Sequence, residues 1–244
     1  MQNQNHIVPF VIGHRGAAGS APENTIASLR RAQADGATWV EFDVMLTAEG
    51  VPVLFHDDTV DRTTNGAGAL ADLSLEESQL LDAGLWFSAE FQGERIPTFQ
   101  NTIFELKALG LGANVEIKPT PGLGQETAEA TCALIRDHWP DNLPPPVISS
   151  FDVPAMAIAR DMLPHIERAM LFGKLPKNWL AVVQELDCRA VHVSTRYVTH
   201  RDVDMMTENG FPVRVYTVND LARGRELKEM GVASIFTDRP DIFL

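Results

Sequence analysis

Short β-rich runs alternate with helix-like stretches along almost the whole chain, and this alternation limits the possible folds more than any other feature. The runs are His6–Ile12, Trp39–Leu46, Val51–His56, Ala113–Lys118, Val147–Phe151, Arg168–Phe172, Ala190–Ser194, Pro212–Val218 and Ala233–Thr237. Strand, helix, strand in repetition demands parallel pairing, because parallel neighbours need a crossover and the right-handed one packs back onto the sheet. Glu23–Asp35 reads as one such helix, with Pro22 before it and Gly36 after it, and Leu221–Met230 stops at Gly231 in the same way. Eight such units in 244 residues fit a TIM (β/α)8 barrel. Val51–His56 is then an extra strand beside the second barrel strand. A doubly wound open sheet is the alternative, and it loses support because no Gly-x-Gly-x-x-Gly follows the first run.

No linker interrupts the alternation, so residues 1–244 are expected to form a single domain. The pattern breaks once, over residues 57–101. Asp57–Ala71 is loop-like, a short helix follows, and then an aromatic stretch runs from Trp86 to Phe91. This segment reads as a small subdomain inserted on one face of the barrel, and a loop that long in a compact domain is usually functional.

Composition narrows the partners. Twenty Lys and Arg against thirty-three Asp and Glu leave a formal charge of −13. A nucleic-acid or anionic-membrane surface needs a basic patch, so neither partner is expected. An anionic small molecule remains compatible, since a pocket can carry the opposite sign to the surface. No run approaches the roughly 18 apolar residues of a membrane span. The first apolar stretch, Ile7 to Ile12, is too short and lacks the basic flank of a secretory signal. Cys132 and Cys188 read as buried thiols in a reducing, cytoplasmic setting. Nothing in the pattern separates a monomer from a homodimer.

Barrel strands should be apolar, so charges inside them need a reason. His14, Arg15 and Gly16 close the first strand. Glu41 and Asp43 are two apart in the second, hence on one face. His56-Asp57-Asp58 closes the extra strand, Glu116 and Lys118 close Asn114–Lys118, and Asp238 follows the last strand. All lie at or near C-terminal strand ends, which form the catalytic mouth of this fold. Three carboxylates at one rim raise one another's pKa unless a cation compensates them. Oxygen-only ligands suit a hard divalent cation, Mg2+ or Ca2+. With Arg15 and Lys118 as clamps for phosphate oxygens, the site keeps one net positive charge, which matches a phosphodiester. His14 and His56 then flank the phosphate as an acid/base pair near neutrality.

Each residue also has a plain structural reading. Glu41 with Lys118, or Asp43 with Arg15, can simply close a barrel mouth as ion pairs, and His14 alone can be a core histidine. It is the coincidence of all of them at one rim that argues for chemistry. His6, His138, His165, His192 and His200 lack such company and read as structural, although His192 alternates with Val191 and Val193 and can line a wall. Asp238 reads as a brace for the chain end. No Gly-x-x-x-x-Gly-Lys, Gly-x-Ser-x-Gly, His-x-His, His-Glu-x-x-His or Cys-x-x-Cys occurs, which removes the main support for NTPases, serine hydrolases and the usual zinc enzymes.

The runs Val11–Gly16, Ala21–Thr25, Val40–Val44, Leu54–Asp58, Arg62–Gly66, Val115–Pro119, Val215–Asn219 and Phe236–Asp238 resemble the glycerophosphodiester phosphodiesterase family. They occur in the family's order and span nearly the whole chain, and they are most similar to those of its short cytosolic bacterial members. The resemblance implies a TIM barrel with a small insertion. It also implies hydrolysis of glycerophosphodiesters, such as glycerophosphocholine and glycerophosphoethanolamine, to sn-glycerol 3-phosphate and an alcohol. Carried over by motif, His14 and His56 are the acid/base pair, Glu41, Asp43 and Glu116 hold the metal, and Arg15 and Lys118 bind phosphate. Gly13 stands where many members have Ala, and Tyr216 where many have Trp, so Tyr216 is a candidate for the substrate wall. The expected route is attack by the glycerol 2-hydroxyl on phosphorus, giving a cyclic phosphate that water then opens. The rival is the same chemistry on a lysophospholipid, of lysophospholipase D type, for which Trp86, Phe87 and Phe91 would have to line an acyl channel. A non-catalytic phosphate- or metal-binding barrel would be expected to have lost one of the seven charged residues, and all are present.

Overall fold

The structure is a computed structural model that describes residues 8–244. Nine strands form one sheet: β1 Val11–Gly13, β2 Trp39–Leu46, β3 Pro52–Leu54, β4 Gly112–Ile117, β5 Val147–Ser150, β6 Glu167–Phe172, β7 Ala190–Ser194, β8 Val213–Tyr216 and β9 Ser234–Thr237. Every pairing is parallel except that of β3, which runs antiparallel along the outer part of β2. The sheet order β1-β9-β8-β7-β6-β5-β4-β2 closes through β1 and β2. Eight parallel strands thus make a TIM barrel, with β3 as the additional strand. Eight α-helices accompany the sheet: α1 Ile26–Ala34, α2 Leu75–Leu80, α3 Phe99–Leu109, α4 Gly124–His138, α5 Val153–Met162, α6 Trp179–Glu185, α7 His200–Glu208 and α8 Leu221–Glu229. Among the described residues, no helix is long and apolar enough to cross a membrane.

Alternation along each strand sorts the side chains. Val40, Phe42, Val44, Val115, Ile117, Val191, Val193, Val213 and Val215 belong to the large core shared with the helices. The other face points into the barrel, where Ile12, Trp39, Val147, Ala169, Ala190 and Phe236 form a smaller cluster. A third cluster, built on Met45, Val53, Phe55, Val60, Leu70, Ala83 and Ile96, packs residues 57–101 against β2 and β3.

Several boundaries differ from the pattern. The first strand covers Val11–Gly13; His6 and Ile7 of the expected run lie outside the described residues. The first helix starts at Ile26 rather than Glu23. Thr25 is its N-cap, accepting from the Ser28 amide, while Asn24 is held in the left-handed region at φ 56°. The physical reason is tertiary, since Asn24 is drawn away to Asp43. Elsewhere the helix starts are locally encoded. Ser74 with Glu77 and Thr199 with Asp202 form reciprocal capping boxes, and Asp152 caps α5.

Arg168, fully buried, is on the outer face of β6. Its guanidinium donates to the carbonyls of Leu163, Ile166, Leu186 and Asp187 at 2.9–3.3 Å, and to Asp187 Oδ2 at 2.8 Å. One side chain therefore ties the loop before β6 to the loop before β7. Arg168→Met keeps the volume but orphans these carbonyls, each costing about 1 kcal/mol or more. A loss of about 3–5 kcal/mol is expected, read as a fall in Tm of about 6–20 °C.

Candidate active site

The turn after β1 is shaped to present two side chains. The His14 amide donates to Thr237 O at 2.8 Å, and the Arg15 and Gly16 amides donate to Glu41 Oε2 at 2.9 Å and Glu41 O at 3.2 Å. Arg15 has φ 49° and Gly16 φ 83°, and a Cβ on Gly16 would collide with Ser28, so this corner needs the glycine. A non-glycine residue held left-handed at a functional rim is strain maintained by its surroundings. Here those surroundings are Glu41 and the Ser28 hydroxyl, which donates to Arg15 O.

Glu41 and Asp43 point to the same face of β2, and the β2–β4 register sets Asp43 beside Glu116. One carboxylate oxygen from each of the three lies within 4.8 Å of the others. Burial, then Asp43 and Glu116, push Glu41 well above the usual carboxylate range. Burial and then Asp43 push Glu116 up to about 8. Asp43 moves the other way: burial opposes ionisation, but Arg15, His56 and Lys118 outweigh it. Its Oδ2 accepts from Asn24 Nδ2 at 2.9 Å, and its amide donates to Asn24 Oδ1 at 3.2 Å. The donor set fits a hard cation: three buried or half-buried carboxylates that converge with no nitrogen or sulfur ligand among them.

The raised carboxyls have a measurable consequence. Between the unfolded value near 4.5 and the folded value near 8, the native Glu116 holds a proton that the unfolded chain has released. Stability of the metal-free protein therefore falls as pH rises through that window. Glu116→Gln removes the penalty. In chelator, the variant is expected to melt several degrees above wild type at pH 8 and level with it at pH 4.5, as thermal scans would show.

The two histidines are built alike. His14 Nδ1 lies 2.6 Å from Asp238 Oδ1, and His56 Nδ1 lies 2.6 Å from Asp57 Oδ1. Each carboxylate is held in turn: Asn219 Nδ2 donates to Asp238 Oδ2 at 2.5 Å, and Arg62 Nε donates to Asp57 Oδ2 at 2.5 Å. Arg62 continues to both oxygens of Glu23 at 2.8 Å, and Glu23 accepts from Arg15 Nη1 at 2.6 Å. Arg15 Nε is also 3.2 Å from Asp43 Oδ2, an ion pair without hydrogen-bond alignment. Lys118 Nζ is 2.7 Å from His56 Nε2. An ammonium only donates, so Nε2 accepts and the His56 proton sits on Nδ1, facing Asp57. Burial lowers the His56 pKa. His14 Nε2 faces Glu41 Oε2 at 3.9 Å.

All eight residues singled out from sequence are at this mouth. Tyr216 lines the same cavity as His14, Glu41 and Glu116; its hydroxyl donates to Phe172 O at 3.0 Å, and its ring meets Phe151 edge-on with centroids 5.9 Å apart. Asp238 does more than brace the chain end: it orients His14 across 224 positions of sequence. Asp57, Asn24, Glu23, Arg62 and Asn219 also complete the site, and no role had been expected for them. Phe87 meets Trp86 and Phe91 edge-on, with centroids 5.7 and 5.6 Å apart.

The glycerophosphoryl diester phosphodiesterase family model matches residues 14–242. The chain belongs to that family. A glycerophosphodiester phosphodiesterase of Caldanaerobacter subterraneus is 34% identical over 237 residues, covering 96% of both chains. One from Bacillus subtilis is 30% identical over 254 residues, covering 96% of this chain and 85% of that protein. Among solved structures, an Oleispira antarctica phosphodiesterase in complex with the product sn-glycerol-3-phosphate has a TM-score of 0.94 at 39% identity. The match covers 96% of this chain and 95% of that one. With the family comes the enzyme class, so the chain is a glycerophosphodiester phosphodiesterase acting on a small molecule.

Proposed function

We propose that this enzyme hydrolyses glycerophosphodiesters such as glycerophosphocholine and glycerophosphoethanolamine in a divalent-metal-dependent reaction with His14 and His56 as acid and base. The observation that carries it is the convergence of three carboxylates, two carboxylate-braced histidines and two cationic side chains on one rim. Glu41, Asp43 and Glu116 would hold Mg2+ or Ca2+. When bound, such a cation supplies charge neutralisation at the reacting oxygens and acidifies a neighbouring hydroxyl. Arg15 and Lys118 orient the non-bridging phosphate oxygens. One histidine takes the proton of the glycerol 2-hydroxyl as that oxygen attacks phosphorus. The bond from phosphorus to the alcohol oxygen breaks, and the other histidine protonates the leaving alcohol. Water then opens the cyclic phosphate with the roles reversed, leaving sn-glycerol 3-phosphate. Asp57 and Asp238 keep the imidazoles in one tautomer with Nε2 toward the substrate.

In the same reading, residues 1–244 are one domain, and residues 57–101 are a subdomain beside the mouth, supported by their own apolar cluster. The two free, buried thiols, Cys132 and Cys188, support a reducing, cytoplasmic compartment.

The test is release of sn-glycerol 3-phosphate from glycerophosphocholine by metal-stripped protein with Mg2+ or Ca2+ restored, followed by a coupled dehydrogenase. Metal-dependent release, lost in Glu116→Ala, is the expected result. Choline and lysophosphatidic acid formed from lysophosphatidylcholine, with no release from glycerophosphocholine, would shift the substrate to the lysophospholipid. No release from either would overturn the proposal.

A further inference from the structure

The interior of this barrel is not filled by aliphatic side chains alone. A polar column runs from its lower end toward the acidic trio. Glu167 Oε1 accepts from Arg214 Nη2 at 2.6 Å, and Arg214 Nη1 lies 3.2 Å from His192 Nε2. On the facing side, Asn114 Nδ2 donates to Ser149 Oγ at 2.9 Å. Barrel interiors are ordinarily packed with Val, Ile and Leu, so buried polar groups here need partners.

Around one cavity, three polar atoms lack one. Glu41 Oε1, Asn114 Oδ1 and His192 Nδ1 are all buried without a hydrogen-bond partner, and their residues line one cavity of ≈ 20 Å3. His192 is fully buried, Asn114 is 2% exposed and Glu41 3%. The β2–β4 register pairs Glu41 with Asn114, one step deeper than the Asp43–Glu116 pair at the mouth.

The tautomer of His192 follows from its neighbour. A guanidinium only donates, so Nε2 must accept from Arg214, and the single proton of the neutral ring is on Nδ1. Burial and the Arg214 charge keep that ring neutral. With Glu41 ionised, the groups that line the cavity include one unmet donor, His192 Nδ1–H, and two unmet acceptors, Asn114 Oδ1 and Glu41 Oε1. One water has the complementary valence, accepting once and donating twice, and a volume of this size holds one water.

We infer that His192 and Asn114 are positioning residues, holding a buried water that fixes the Glu41 carboxylate from behind. Glu41 is thereby anchored on two sides. The Arg15 amide holds Oε2, and the water ties Oε1 to the Glu167–Arg214–His192 column. A carboxylate so fixed offers a cation a preset ligand instead of one that must be ordered on binding. The inference rests on the metal-holding role proposed above for the trio.

Two measurements test it. A crystal structure at about 1.5 Å should show a water within about 3.2 Å of His192 Nδ1, Asn114 Oδ1 and Glu41 Oε1. Titration calorimetry of Mg2+ and Ca2+ into metal-free protein should show about 10–100-fold weaker binding in His192→Phe, which has neither ring nitrogen. His192→Asn keeps an N–H near the Nδ1 position and should bind within about 3-fold of wild type, a rescue that lost packing alone would not give. A dry cavity, or equal affinity in wild type and His192→Phe, overturns this inference and leaves the proposed function standing. A wild-type chain that takes up neither metal overturns both.

Discussion

The analogue of glycerophosphocholine in which propane-1,3-diol replaces glycerol is expected to be turned over at least ~10^3-fold more slowly than glycerophosphocholine. The analogue keeps the charge, the alcohol leaving group and one terminal hydroxyl, and lacks only the hydroxyl next to the esterified carbon. If that hydroxyl is the first nucleophile, it attacks with an effective molarity of about 10^5 M or more. Water, present at about 55 M, would have to replace it, and the ratio is about 10^3. The analogue should still bind, because Arg15, Lys118 and the acidic trio address the phosphate. Its inhibition constant as a competitor should lie within about tenfold of the KM for glycerophosphocholine. Glycerol 1,2-cyclic phosphate should in turn be opened at least as fast as the diester is consumed, with phosphorus NMR following both reactions. Comparable kcat for the analogue and glycerophosphocholine would mean that water attacks directly and no ring forms.

The extent to which this site could be read from sequence depends on how far each signal reaches. Strand positions were legible because an apolar run with a period of two survives any tertiary detail, and Glu41, Asp43 and Glu116 were visible as charges violating it. Their meeting at one rim follows from parallel register alone, which sets Asp43 beside Glu116. What was not legible depends on contacts between distant residues. Asp238 orients a histidine near the opposite terminus, and nothing local distinguishes it from a cap. Asn24 looks like the first turn of a helix until Asp43 pulls it into the left-handed region, which shortens the helix by three residues. The chain of ion pairs through Arg15, Glu23, Arg62 and Asp57 joins two separate loops. His192 reads as structural in the sequence, and its neighbour Arg214 is a single cation on an otherwise apolar strand, with no local signal of a partner. Both become informative only once the barrel closes and their partners can be counted.

His14→Ala and His56→Ala should each lower kcat by about 10^2–10^4, the usual contribution of a positioned acid or base. The two losses should separate when the leaving group changes. An alcohol such as choline departs as a strongly basic alkoxide unless it is protonated, whereas p-nitrophenol departs readily as its anion. With the p-nitrophenyl ester of glycerol 3-phosphate, the variant lacking the acid should recover most of its first-step rate, and the variant lacking the base should recover little. The geometry indicates which is which. His56 Nε2 accepts from Lys118 at 2.7 Å, so that nitrogen carries no proton, and once the Lys118 ammonium turns to the phosphate its lone pair is free to take the 2-hydroxyl proton. His14, with Nδ1 2.6 Å from Asp238 Oδ1 and Nε2 3.9 Å from Glu41 Oε2, is left as the partner that donates to the leaving alcohol. Recovery is therefore expected in His14→Ala, measured as the burst of p-nitrophenolate in a single turnover. Recovery in His56→Ala would exchange the two roles, and recovery in neither would mean that the histidines only bind phosphate. Asp238→Asn supplies the internal control. It removes a carboxylate whose oxygens are taken by His14 Nδ1 and Asn219 Nδ2, so its loss should be smaller, about tenfold. That loss should also shrink with the activated ester in step with His14→Ala, because Asp238 acts only through that ring.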